Sequence, residues 1–197
     1  MKTKVALLFF SITFLFFSCT SFNPAMLNPD LAEVSTKIAR LEISSPSTTT
    51  FSDSTIKTTN YQSMYFTIFE RELRTNLMDT IGEKYGNIEL TIIYDRYKKN
   101  NGLLILSSVL LFMPNIVGMP LGSIEQYTEI EVKIYDKKAN EIARYNISKN
   151  IKKYLGLYYN YKYEDIDYVK VLVFKEIMRD LRLRITKDAK AINGLLK

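Results

Sequence analysis

Histidine is absent from this chain of 197 residues, and cysteine occurs once. Those two shortages exclude whole classes of chemistry. Zinc sites built from His and Cys, Ser-His and Cys-His nucleophile pairs, and imidazole acid–base steps all lack their parts. A lone cysteine cannot form a disulfide within the chain, so stability must come from packing. Only seven glycines are present, and no Gly-rich phosphate loop or nucleophile elbow is among their settings. A glycosidase needs two carboxylates facing each other across a cleft, and no pair stands out. The sequence therefore reads as a non-catalytic protein with no cofactor and no metal.

Charge is also missing locally, in two places. Nothing from Val5 to Phe17 carries a charge, nor does anything between Lys99 and Glu125. The first gap follows Lys2 and Lys4 and ends in Ser18-Cys19. Thirteen apolar or small residues are short for a membrane span but suit the h-region of a signal sequence. The pattern resembles a bacterial lipoprotein signal peptide ending in a lipobox, although Phe16 stands where Leu, Ile or Val is usual. The resemblance implies a signal peptide over 1–18, cleavage before Cys19, and lipidation (palmitate among the acyl chains) on Cys19. Thr20, in place of an aspartate, leans towards the outer membrane, facing the periplasm. Membrane lipid is then the first expected partner.

Removing residues 1–18 leaves 179, with 25 basic and 21 acidic side chains. That is enough chain for one domain with a sizeable core. The positive balance is mild; it fits contact with anionic headgroups and is too diffuse for a nucleic-acid reader.

Residues 19–30 contain Pro24 and Pro29, lack periodicity, and read as a tether. A single domain is expected over 31–197. Alternation over Thr36–Ile43 predicts a first strand, and the segment 44–60, with eleven Ser or Thr, reads as a loop with a short edge strand near Thr50–Thr55. Tyr61, Tyr65, Ile68, Phe69, Leu73, Leu77 and Ile81 recur at helical spacing. A second strand over 88–98 would face Ile88, Leu90, Ile92 and Tyr94 one way. Strands over 126–135 and 141–152 form a hairpin about Asp136–Asn140, and a last helix covers 165–187. The expected fold is α+β: a two-layer sandwich, β-α-β-β-β-α, with two helices on one face of a largely antiparallel sheet of about four strands. That order resembles the lipoprotein that plugs the lipopolysaccharide-export barrel, which implies docking into a membrane protein.

The second uncharged gap holds an apolar insertion, 103–122, between strands two and three. A span through the membrane would separate strands of one sheet onto opposite sides. Two readings compete more strongly: a hairpin that dips into the bilayer and returns, turning at Pro114 and Asn115, or a buried core element. A hairpin turning near Lys138 puts Glu125 beside Ile151. Leu155, Leu157 and Tyr158 then emerge at the insertion's end of the sheet, ringed by Lys98, Lys99, Lys149, Lys152 and Lys153. The expected membrane or partner contact is Leu103, Leu104, Ile105, Leu106, Val109, Leu110, Leu111, Phe112 and Met113, with Leu155, Leu157 and Tyr158. The alternatives are an accessory subunit of an outer-membrane complex, or a lipid- or glycan-binding module with tyrosines 154–168 stacking on sugar. Glu164, Asp165 and Asp167 are expected to cap the last helix.

Overall fold

The structure, a computed structural model, describes residues 23–196 apart from 33, 35, 52–58, 111 and 159. The signal segment, Cys19 and Leu111 lie outside the described residues. Strand β3, Gly122–Asp136, sets the pattern for the rest. Its even-numbered side chains from Ile124 to Ile134 are buried, while Glu125, Glu129, Glu131 and Lys133 stay partly exposed on the other side. That period of two lays one face of a sheet on a core. Strand β2, Gly86–Asn100, and β4, Glu141–Leu155, flank β3 antiparallel, and β1, Glu42–Phe51, joins β2 in parallel. The sheet order is β1-β2-β3-β4.

Three sequence expectations shift here. The first strand starts later than 36–43: residues 36–41 join no sheet and bridge only from Ile38 to Met78, while β1 begins at Glu42 and runs into the Ser/Thr-rich stretch. Its β-branched threonines suit a pleated edge. The β2 alternation breaks at a bulge between Ile92 and Tyr94. One extra residue flips the faces, so Tyr94 turns to the open side and Asp95 turns inward. Finally, a register shift between Ile134 and Tyr135 sets Glu125 opposite Lys152 rather than Ile151.

Helix α1, Thr59–Glu72, continues as a wide π-helical turn over Leu73–Leu77. Met78 N closes it by donating to Leu73 O at 2.8 Å. The apolar stripe therefore stops at Leu77, and Ile81, expected on it, is 88 % exposed. The final helix, designated α4, runs Ile166–Leu196, longer than expected because Ala189, Ile192 and Leu196 extend its buried stripe. Asp165 Oδ1 accepts from Asp167 N at 2.9 Å, the expected cap. Both helices cover the same sheet face, and Tyr65 stacks on Phe174 with centroids 4.5 Å apart.

Residues 23–30 are not a free tether. A 3-10 turn, Pro24–Leu27, lays Met26 and Leu27 against the core. Arg71 Nη1 donates to Asn28 Oδ1 at 2.6 Å, and Asn76 Nδ2 to Asp30 O at 3.0 Å. Lys175 Nζ reaches Asp30 Oδ1 at 2.7 Å. Traced back from Ala32 to Asn28, the strap moves from Asn76 up α1 to Arg71. Because α1 follows β1 and returns to the Gly86 end, that direction leads towards the end of the sheet that carries the insertion.

Candidate functional site

The insertion is a pair of short helices standing at the sheet end. Helix α2, Gly102–Val109, follows β2 directly, with Asn100 Oδ1 accepting from Gly102 N at 2.9 Å. Leu103, Leu104 and Leu106 favour the helix. Ser107 and Ser108 donate back to Leu103 O and Ile105 O, each at 2.7 Å, so neither hydroxyl is wasted on an apolar surface. The turn comes around Leu110 and Phe112, earlier than the expected Pro114–Asn115. Phe112 is left-handed at φ 59°, and its N–H donates to Ser107 O at 2.8 Å. Pro114 instead opens helix α3, Met113–Ile116, where its missing N–H costs nothing. Asn115 is buried, and its Nδ2 donates to Met119 O at 3.0 Å, holding the returning limb. Gly118, at φ 100°, makes the last reversal before β3.

The root is tight. Leu121 N donates to Leu155 O at 2.7 Å, and the space beside Gly122 is closed by Asn100 O, which a Cβ would meet at 2.6 Å.

Most of the hairpin's apolar surface is uncovered. Leu104, Ile105, Leu106, Val109, Leu110, Phe112 and Met113 are between 39 % and 75 % exposed, and Leu103 is half-buried. A helix apolar all round is stable in a core or in lipid, and no part of the described chain supplies a core for this one. Ile116, Val117 and Met119 add to the same exposed surface. Sequence reasoning missed these three, although the uncharged run extending to Glu125 already marked them. Leu157 and Tyr158 are exposed. Leu155, expected among the contact residues, is a correction: it is 3 % exposed and belongs to the core. Its odd position on β4 pairs it with Gly122 and turns it to the helix side. No helix among the described residues is long and apolar enough to cross a membrane.

Below the hairpin, the open face of the sheet is basic. Register places Arg96, Tyr127 and Asn150 in one row and Lys98, Glu125 and Lys152 in the next. Tyr94, Arg96, Lys98, Glu125, Tyr127 and Asn150 line a groove of about 300 Å³. The Tyr94 and Tyr127 rings meet edge to face at 5.6 Å, and Asn150 Nδ2 donates to Glu125 Oε1 at 3.1 Å. Of the expected lysine ring, Lys149 is tied to Asp180 at 2.6 Å. Lys152 lies over Tyr154 and Lys153 over Tyr163. Tyr158 is exposed rather than set in a cleft wall, and the side chains of Tyr161 and Glu164 lie outside the description.

A second polar cluster escaped the sequence reading altogether. Asp95, turned inward by the β2 bulge, accepts from Tyr65 Oη (3.1 Å), Gln126 Nε2 (2.5 Å) and Thr128 Oγ1 (2.9 Å). Lys170 Nζ completes it at 2.6 Å. Every named donor already has its acceptor, which fits a structural interior network.

No protein-family model matches this chain, and no curated protein does. Solved structures similar to it include two lipoproteins. One is a candidate lipoprotein from Caulobacter crescentus CB15, at 9 % identity and TM-score 0.43, covering 76 % of this chain and 90 % of that one. The other is a minor lipoprotein from Acinetobacter baumannii, at 12 % identity and TM-score 0.36, covering 78 % and 94 %. Neither likeness is strong enough to assign a function.

Proposed function

We propose that this chain is a cell-envelope lipoprotein, lipidated at Cys19, whose α+β domain has a non-catalytic binding or scaffolding role. The hairpin α2–α3 is its second membrane contact. The observation that carries the reading is the exposed, uncharged hairpin surface from Leu104 to Met119. Each half-exposed Leu, Ile or Phe removed from water contributes about 1 kcal/mol, so the hairpin as a whole favours an apolar environment strongly. Lipid on Cys19 makes the attachment durable, and the outer membrane facing the periplasm is the preferred address.

The test is vesicle co-sedimentation of residues 19–197 carrying Cys19→Ser, beside a variant with 103–121 replaced by a short Gly/Ser linker. Binding by the first and not by a folded second supports the reading. If both stay in solution, the hairpin is no bilayer contact.

A second reading is favoured by the order of strands and helices, which resembles that of a barrel-plugging lipoprotein. In it the domain is an accessory subunit of an outer-membrane complex, and the hairpin docks on that protein. Stoichiometric co-purification with a β-barrel from detergent, lost in the linker variant, would select this reading over the first.

A further inference from the structure

We infer that the groove on the open sheet face, lined by Tyr94, Arg96, Lys98 and Tyr127, binds the phosphate of an anionic lipid headgroup. This rests on the hairpin's being a bilayer contact and adds which lipids the domain prefers.

Charge is sorted along the open face. In the two rows just below the Asn100–Ser123–Tyr154 row at the hairpin's foot, Arg96, Lys98 and Lys152 face one carboxylate, Glu125, whose Oε1 already accepts from Asn150. Towards the other end the carboxylates Glu89, Glu129, Glu131 and Glu141 outnumber Lys133 and Arg144. The cations there are paired: Lys133 with Glu131 at 2.8 Å, and Arg144 with Glu141 at 2.7 Å. Among the described residues, positive charge without a carboxylate ion-pair partner therefore gathers just under the apolar tip.

Height agrees with that chemistry. Asn100 and Ser123 form the last ladder pair before the hairpin. At about 3.3 Å per residue, Lys98 and Lys152 lie roughly 7 Å below it and Arg96 roughly 13 Å. A headgroup layer is about 5–7 Å deep on each side of the hydrocarbon. A hairpin seated in hydrocarbon thus brings Lys98 and Lys152 to phosphate level, and the long Arg96 side chain reaches up to it. Arg is suited to phosphate through paired N–H donors, and Tyr127, in the same row as Arg96, supplies an amphipathic flank of the kind usual at an interface.

The strap points the same way. Asn23 follows Cys19 by four residues, a reach of at most about 14 Å. The strap leads from Asp30 towards the hairpin end. Lipid on Cys19 and the groove would meet one membrane surface.

The test uses residues 19–197 with Cys19→Ser and two vesicle compositions, phosphatidylcholine alone and phosphatidylcholine mixed with phosphatidylglycerol. Tighter binding to the anionic vesicles is expected, with a preference that fades at high salt. Arg96→Gln with Lys98→Gln should cut that preference on the order of tenfold and leave binding to phosphatidylcholine intact. Arg40→Gln with Lys84→Gln removes equal charge at the far end and should change neither. Equal binding to both vesicles, or equal loss from both charge variants, overturns the groove while leaving the hairpin contact standing. Binding to neither vesicle overturns both. Inorganic phosphate separates the sources: if it binds the groove in solution and Arg96→Gln abolishes that binding while vesicle preference is unchanged, the ligand is a soluble phosphate and the lipid assignment is wrong.

Discussion

Lys170 Nζ lies 2.6 Å from Asp95 Oδ2 between the sheet and α4, with the two side chains only 8 % and 10 % exposed. Removing one partner strands the other in the interior, at about 3–5 kcal/mol. Lys170→Met alone should lose that much stability by chemical denaturation. Asp95→Asn combined with Lys170→Met should recover most of it, because the amide oxygen still accepts from Tyr65 and Thr128 and no lone charge remains. A single variant as stable as the parent would mean that water or another group already solvates the pair.

Glu72 and Arg182 form another enclosed pair, at 2.9 Å. Burial raises the Glu72 pKa above its ordinary value, and the bonds from Asn76 and Arg182 only partly oppose this. A raised carboxyl contributes stability that is full below about pH 4.3 and is lost as pH rises through its folded value. Arg182→Met removes the opposing attraction, so it should destabilise by about 3–5 kcal/mol at pH 7. Part of that loss should return as pH falls below 7 and Glu72 takes up its proton. A denaturation series across that range checks the sign. An Arg182→Met deficit that stays constant with pH would contradict it.

What was legible in the sequence was whatever obeyed one period. The alternation Ile130, Val132, Ile134 and the helical stripe Val169, Val173, Ile177, Leu181 gave β3 and α4 correctly, because each buries one face against one layer. Local features that break a period were not legible. The β2 bulge that turns Asp95 inward leaves no mark in composition, and the π-helical turn that strands Ile81 in solvent lies inside an otherwise regular stripe. The hairpin was legible as greasy and uncharged. That it stands uncovered depended on where the sheet ended, which only the fold could supply.

Leu155 and Val109 separate the two roles that sequence had merged. Leu155 is 3 % exposed and Val109 is 75 % exposed. Leu155→Ala should therefore cost about 2–5 kcal/mol of stability. Val109→Ser should leave the unfolding free energy within about 0.5 kcal/mol of the parent while weakening vesicle binding. Comparing both variants in both assays is decisive: a destabilised Val109→Ser protein would mean the hairpin packs as core.

Gly122 and Gly102 bracket the root of the hairpin, and alanine should act oppositely at the two. At Gly122 a Cβ would stand 2.6 Å from the backbone oxygen of Asn100, which the β2–β3 ladder holds in place. The backbone must open there, at a cost of about 1–3 kcal/mol, and the splayed ladder would tilt α2 away from its seat. Gly102 begins α2, and a Cβ there would approach only Asn100 Oδ1, at 3.1 Å, a side-chain atom that need yield by only a few tenths of an ångström while still accepting from residue 102 N. Alanine also favours the helix over glycine by about 0.5–1 kcal/mol. Gly122→Ala should thus lower both thermal stability and vesicle binding, whereas Gly102→Ala should keep or raise both. Intact vesicle binding in a destabilised Gly122→Ala protein would show that hairpin orientation does not depend on the close approach to Asn100.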